Sequence, residues 1–317
     1  MNNITIQTRA RIHIALLNES GYLGRIDGSI GFAIDSPGWK VCVYRELLEN
    51  SSDNLEPEMS CALESLYFQM KKAFDLPDFF YSISGRIENH IGLGSKTSLL
   101  MGFGSAVNQL FGLNLSSWEV AQLSGRGSTS GVGYWASQKG GFLWDAGRKY
   151  PEQKASFAPS SSSNAVPPDL VLTIDLPRFY VCHFRFEEKG IYGSEEISLF
   201  NKYCPTSHDD TKKLLAVVSG LLVPSLISSD EDGVQVALRS IQSLGLKAIE
   251  WDHQGAKTLH FKKFWDSRQL ATALCLSSMG STMFCLTQNP DLVMKIIGEY
   301  SFEPMHCRVS KILGDIK

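Results

Sequence analysis

Gly92-Leu93-Gly94-Ser95-Lys96-Thr97 stands between a strand-like run near residues 79–86 and a segment whose apolar residues are Leu99, Phe103, Ala106, Val107 and Leu110. Spacings of three and four in that stripe predict a helix that opens directly from the glycines. Glycines ahead of a helix let successive backbone N–H groups face inward as an anion nest, and the helix N-terminus adds a partial positive charge. Ser95 and Thr97 supply hydroxyls and Lys96 a full charge, so Gly92, Gly94, Ser95, Lys96 and Thr97 are candidate ligands for phosphate or pyrophosphate. A ligand-free turn has the same local sequence, and Lys96 can equally extend into solvent. The stretch is not a Walker A loop, which requires G-x-x-x-x-G-K-[ST].

Two further turns share this chemistry. Ser124-Gly125-Arg126-Gly127-Ser128-Thr129-Ser130-Gly131-Val132-Gly133 combines glycines, hydroxyls and one arginine. Arg126, Gly127, Ser128, Thr129 and Ser130 suit a phosphate cradle, with the planar guanidinium as a multiple donor. A surface loop would read alike. Ser277-Ser278-Met279-Gly280-Ser281 lies between a predicted helix and strand, where a plain turn is the simpler account. Near the start, Arg9, Arg11 and His13 alternate onto one face of an extended strand, and Arg25 and Asp27 follow in Gly24-Arg25-Ile26-Asp27-Gly28. A charged edge strand has the same pattern.

The remaining elements set these turns in a mixed fold. Residues 1–47 alternate like strands, residues 56–74 have helical period, and Ser116 with Glu119 has capping-box spacing. Residues 151–169, with Pro159, Ser160–Ser163 and Pro167-Pro168, read as an irregular connection or a loop over a site. Strands are expected near 170–175 and 178–186, and helices over 209–222, from Asp230 to Gly245, and from Asp266 to about Cys275. A strand at 282–287, a helix from Asn289-Pro290 and a final strand at 305–313 complete the chain. Without regular βα alternation or a dinucleotide-binding glycine fingerprint, the class is α+β, divided into residues 1–165 and 166–317.

Composition narrows the function. The chain has 317 residues, 43% hydrophobic and 20% charged, which excludes disorder and coiled coil. A net charge of −3 argues against a nucleic-acid partner. The most apolar window, residues 214–227, is too short and interrupted for a bilayer, so a cytoplasmic protein with no membrane partner is expected. Seven cysteines without C-x-x-C spacing read as buried free thiols. Asp209-Asp210 and Asp230-Glu231-Asp232 precede helices and are read as caps, while Glu195, in an expected loop, is a candidate acid. Metal ligands are not assigned, and oligomeric state, including a homodimer, stays open.

Together the three Gly/Ser turns resemble the GHMP superfamily of small-molecule kinases, with Gly92–Ser95 as its phosphate loop and residues 277–284 as its C-terminal motif. The resemblance implies an N-terminal α+β domain and a ferredoxin-like C-terminal domain. A closer resemblance, carried by residues 9–37, 125–141 and 156–168, is to the β-ribofuranosylaminobenzene 5′-phosphate synthase family and related C-nucleoside synthases. It implies a glycosyltransferase that joins C1 of phosphoribosyl pyrophosphate to a ring carbon of an aromatic carboxylic acid, releasing CO₂ and pyrophosphate with Mg²⁺ as cofactor. On that reading Asp27, His13 and Glu195 are the candidate catalytic groups, and Arg11, Arg25, Ser277, Ser278 and Gly280 the candidate substrate contacts. Many kinases of the superfamily carry an acid where this chain has Gly133, and its loss removes a general base worth roughly 10²–10⁴ in rate. Decarboxylative carbon–carbon coupling has no hydroxyl to deprotonate. The alternatives are an ATP-dependent small-molecule kinase and a non-catalytic ligand-binding protein on the same scaffold.

Overall fold

A computed structural model describes residues 2–46, 51–52, 55–127, 130–158, 166–188, 190–300, 305–312 and 314. The first sheet pairs Asn3–Gln7 with Trp39–Tyr44, and Trp39–Tyr44 with Phe80–Gly85, both antiparallel; Ser51–Ser52 closes its edge. Val41, Val43 and Ile83 point to the core while Lys40 faces water, as a period of two requires. Helix Pro57–Ala73 buries Met59, Leu63, Leu66 and Met70, and helix Ser95–Phe111 packs between it and the sheet.

A second sheet runs in the order Ala10–Asn18, Arg25–Ile34, Phe142–Asp145 and Leu170–Ile174, with Arg148–Lys149 added to Arg25–Ile34. Leu170–Ile174 pairs with Phe142–Asp145, so the sheet of the first half continues beyond residue 165. The third sheet has the order Cys275–Leu276, Met283–Thr287, Tyr180–Arg185, Met305–Lys311. With helices between its first and second and its third and fourth strands in chain order, it is the ferredoxin-like split βαβ arrangement. The mixed, two-part α+β architecture expected from the sequence is therefore present.

Some local expectations change. The acidic pair at 195–196 lies in helix Ser194–Tyr203 rather than a loop, entered through Gly193 at φ +64°. Asp266 closes a helix instead of capping one: Ala256–Ser267 is the helical run, and Lys262 four residues earlier pairs with the Asp266 carboxylate. The helix expected over 209–222 continues through a π-helical turn, Val218–Leu222, into Val223–Ser228. The combined run His208–Ser228 has the length and apolarity of a membrane span, yet Leu214, Val218, Leu222 and Leu226 are buried in the main core. Two short helices, Val132–Gln138 and Gly245–Asp252, were not expected. All seven cysteines are free thiols.

Candidate active site

Gly92 and Gly94 adopt φ of +88° and +74°, and Gly94 precedes helix Ser95–Phe111 without a side-chain cap. The first N–H groups of that helix are thus left for a ligand. The turn is pressed against the C-terminal half. A Cβ on Gly92 would lie 2.0 Å from the Ser277 carbonyl oxygen, and one on Gly280 would lie 2.2 Å from the Gly92 nitrogen. Ser277 Oγ donates to the Gly92 carbonyl at 2.6 Å, Arg11 Nη1 donates to the same oxygen, and the Arg11 N–H donates to Leu93 O at 3.1 Å. The first and third Gly/Ser turns, far apart in the chain, form one backbone-to-backbone contact.

The cavity in front of this contact has a volume of about 250 Å³. Arg11, Arg126, Lys96, Glu58, His90 and Glu196 supply its ionisable lining, with Tyr192, Ser278 and Met279 also on its wall. Arg126 Nε donates to Thr97 Oγ1 at 3.0 Å, tying the second glycine loop to the first. Gly133 packs against the same threonine: a Cβ there would be 3.4 Å from Thr97 Cγ2. Ser95 turns inward, donating to Ile87 O at 2.7 Å and Asn89 Oδ1 at 3.1 Å. Its hydroxyl therefore orders the loop, and its backbone N–H, not its side chain, is the group facing an anion.

The electrostatics favour an anion. Burial lowers the Arg126 pKa, and burial followed by the Arg126 charge brings Arg11 down to about 10; both stay cationic at neutral pH. Lys96 Nζ lies 3.2 Å from Glu58, and His90 Nε2 lies 2.9 Å from the same carboxylate. The His90 hydrogen bond, with Lys96 behind it, holds Glu58 below the usual carboxylate range. Tyr192 stacks on His90 with ring centroids 4.2 Å apart. Glu196 behaves oppositely: burial, then the neighbouring Glu250, pushes it up to about 7 against His90 and Arg11. Because its unfolded value is 4.5, the folded chain holds the extra proton between those limits, and stability should fall as pH rises from about 4.5 to about 7. Denaturant melts across that window check this. Glu196→Gln should flatten the slope, and an unchanged slope would remove Glu196 as its source.

His13 lies behind Arg11, with both ring nitrogens buried and unpartnered; burial, then Arg11 and Lys247, keeps it neutral. Its backbone closes the structure, since its N–H donates to Ser277 Oγ at 3.0 Å and its carbonyl accepts from the Ser278 N–H at 3.1 Å. Lys247 and Glu250 form a buried ion pair deeper in the C-terminal half.

Several other sequence candidates lie elsewhere. Asp27, at φ +65°, is buried between Arg148 and Lys154, whose Nζ is 3.0 Å from both carboxylate oxygens. Arg148 also donates to the Gly127 carbonyl, so this cluster anchors the second glycine loop from below. Arg25 is engaged with the carbonyls of Ala146 and Gly147 at 2.6 and 3.0 Å. Ser130 Oγ is 2.8 Å from Ser29 Oγ, which bonds Asp145; Asp145 also accepts from the Gly131 N–H at 3.0 Å. Asp145 thus stabilises the loop's base and does not line the cavity. Ser128 and Thr129 lie outside the described residues. Glu195 is exposed, and the adjacent Glu196 faces the cavity instead. Among the described residues no three His, Cys, Asp or Glu side chains cluster as a metal site.

Glu58, His90, Tyr192 and Glu196 were missed in the sequence. The first and last had a usable signal. Glu58 adjoins Met59, the first buried residue of its helix, and Glu196 shares a helical face with Leu199 and Phe200. His90 and Tyr192 meet only through the tertiary fold.

Residues 59–136 match the family model of the GHMP kinases N terminal domain. Over 290 residues the chain is 31% identical to the beta-ribofuranosylphenol 5′-phosphate synthase of Archaeoglobus fulgidus, covering 90% of this chain and 88% of that protein. The protein of the same name from Methanocaldococcus jannaschii is 28% identical, over 77% of this chain and 78% of its own. Among solved structures, homoserine kinase from Cytophaga hutchinsonii aligns with a TM-score of 0.67 at 16% identity, covering 98% and 96% of the two chains. Streptococcus pneumoniae phosphomevalonate kinase aligns with 0.68 at 12% identity, covering 98% and 100%. These two likenesses establish the fold.

Proposed function

The chain belongs to the beta-ribofuranosylphenol 5′-phosphate synthase family, and from that premise we propose that it joins C1 of phosphoribosyl pyrophosphate to a ring carbon of an aromatic acid. The observation that carries the reading is the convergence of Arg11, Arg126, Lys96 and an uncapped helix N-terminus on one cavity. That arrangement stabilises a departing polyanion.

The relatives' product name, a ribosylated phenol, points to a hydroxybenzoate-type acceptor, whose carboxylate marks the carbon to be attacked. As the C1–O bond to pyrophosphate breaks, the ring carbon bonds to C1. The C–CO₂⁻ bond then breaks, and its electron pair restores the aromatic ring. Arg126, Lys96 and the N–H groups after Gly94 bind pyrophosphate, Arg11 orients the acceptor, and the half-ionised Glu196 takes the phenolic proton and returns it. Mg²⁺, when bound with the donor, would neutralise charge on pyrophosphate; Glu58, a carboxylate on the cavity wall, would have to exchange Lys96 and His90 to help hold it.

Two results test this. With acceptor labelled with ¹³C in its carboxylate, CO₂ and pyrophosphate should form in equal amounts and the label should leave entirely as CO₂. Label kept in a ribosylated product would sink the decarboxylative step. Phosphoribosyl pyrophosphate with Mg²⁺ should also raise the melting temperature more than ATP does, since a ligand at 100 times its Kd adds about 2.7 kcal/mol. A larger shift with ATP would favour the kinase reading.

A further inference from the structure

Behind the Gly92 turn, on the side away from the candidate active site, lies a cavity of about 150 Å³. Ile91, Leu93 and Pro37 make its apolar floor. Arg86, Arg185, Arg308, His183, His306 and Glu88 surround it. Strand pairing explains the gathering: His183 and Arg185 share one face of Tyr180–Arg185, and His183 pairs with Arg308 on the neighbouring strand. This cavity and the candidate active site have no lining residue in common.

The charge around it is unbalanced. Among the described residues Glu88 is the sole acid in the lining, and it serves both Arg185 Nη2 and His306 Nε2, the latter at 2.8 Å. Arg308 Nη1 has a neutral acceptor, Ser36 Oγ, at 3.1 Å, and Arg86 approaches Glu56 only to 3.9 Å. Arg185 is 7% exposed, and its Nε is buried without a hydrogen-bond partner. A buried donor left without an acceptor carries its desolvation cost uncompensated. His183 adds shape but no charge: its Nε2 is 2.9 Å from Ser310 Oγ, and burial brings its pKa down to about 4. The proposed ribosyl transfer uses none of these groups.

We propose that this cavity is a second binding site, for a small carboxylate carried on an apolar ring. Guanidiniums pair with carboxylates through parallel N–H···O bonds, and an apolar cavity of roughly 150 Å³ holds a benzene ring. The ring lies on Ile91, Leu93 and Pro37, and the carboxylate meets the arginines.

The probe is 4-fluorobenzoate, which lacks the hydroxyl of the acceptor class, followed by ¹⁹F NMR with the full chain. Saturable binding with Kd of about 1 mM is expected, and 4-fluorobenzamide, its neutral analogue, should not bind. Arg86→Ala with Arg308→Ala, both exposed, should raise Kd at least about tenfold, while Arg126→Ala in the other cavity should leave it unchanged. Binding to the wild-type chain should persist under saturating inorganic pyrophosphate, a readout that does not depend on any variant folding. The proposal is overturned by absence of saturable binding, by displacement with pyrophosphate, by loss in Arg126→Ala, or by retention in the double variant. Equal affinity for inorganic phosphate would also overturn it, because the apolar floor would then contribute nothing.

Discussion

Asp27→Asn should cost about 3–5 kcal/mol of stability, the range for removing one member of a buried ion pair. Arg148 and Lys154 would be left as buried cations around a neutral amide. Backbone strain does not enter, since the residue sits at φ +65°, where Asn is at least as comfortable as Asp. The loss should appear as a fall of roughly 5–10 °C in melting temperature. Because Arg148 also holds the Gly127 carbonyl, the second glycine loop should loosen too, with faster amide exchange around Gly127. A melting temperature within a degree or so of wild type would mean that the cluster is hydrated and that Asp27 is not its keystone.

Gly94→Val should weaken donor binding roughly 100-fold or more, the equivalent of two lost charge-assisted hydrogen bonds. Gly94 sits at φ +74°, a region that β-branched residues avoid. A Cβ there would approach Arg11 Cγ to 2.9 Å, so the side chain would displace one guanidinium while its methyls cover the N–H groups meant for the anion. The helix behind should persist, because its core face, Leu99, Phe103, Ala106 and Val107, is untouched. Titration with phosphoribosyl pyrophosphate, with circular dichroism as the control for folding, gives the result. A folded variant with unchanged affinity would reduce the loop to a turn.

The parts of this fold that were legible in the sequence are those whose cause is local. The helix after Gly94, the Ser116–Glu119 capping box and the Asn289-Pro290 helix start all appear where propensity and spacing put them. Asp266 misled because an acid suits a helix start generally, while here an i,i+4 lysine makes it a helix-end partner. The site divides along the same line. Gly92, Gly94, Lys96, Thr97, Arg126, Ser278 and Gly280 could be picked out because glycine turns announce anion nests, and all line the cavity or its wall. Asp27 and Arg25 have the same residue chemistry, but their partners come from residues 146–154, a distance no spacing rule covers. Glu195 belongs to a segment that reads as a loop in the sequence; it is a helix, and its phase leaves Glu195 exposed while Glu196 lines the cavity.

The Gly92–Gly280 contact has a mechanical meaning. Where two halves of a protein meet through side chains, rotamer changes absorb small displacements. Here backbone meets backbone, with Gly190 against the His90 carbonyl beside it, and there is nothing to deform. A side chain at either glycine would push the two halves apart, so the shape of the anion nest and the spacing between the halves are a single constraint. The contact acts as a gauge block: Gly92→Ala or Gly280→Ala should disturb the nest and the packing of the halves together.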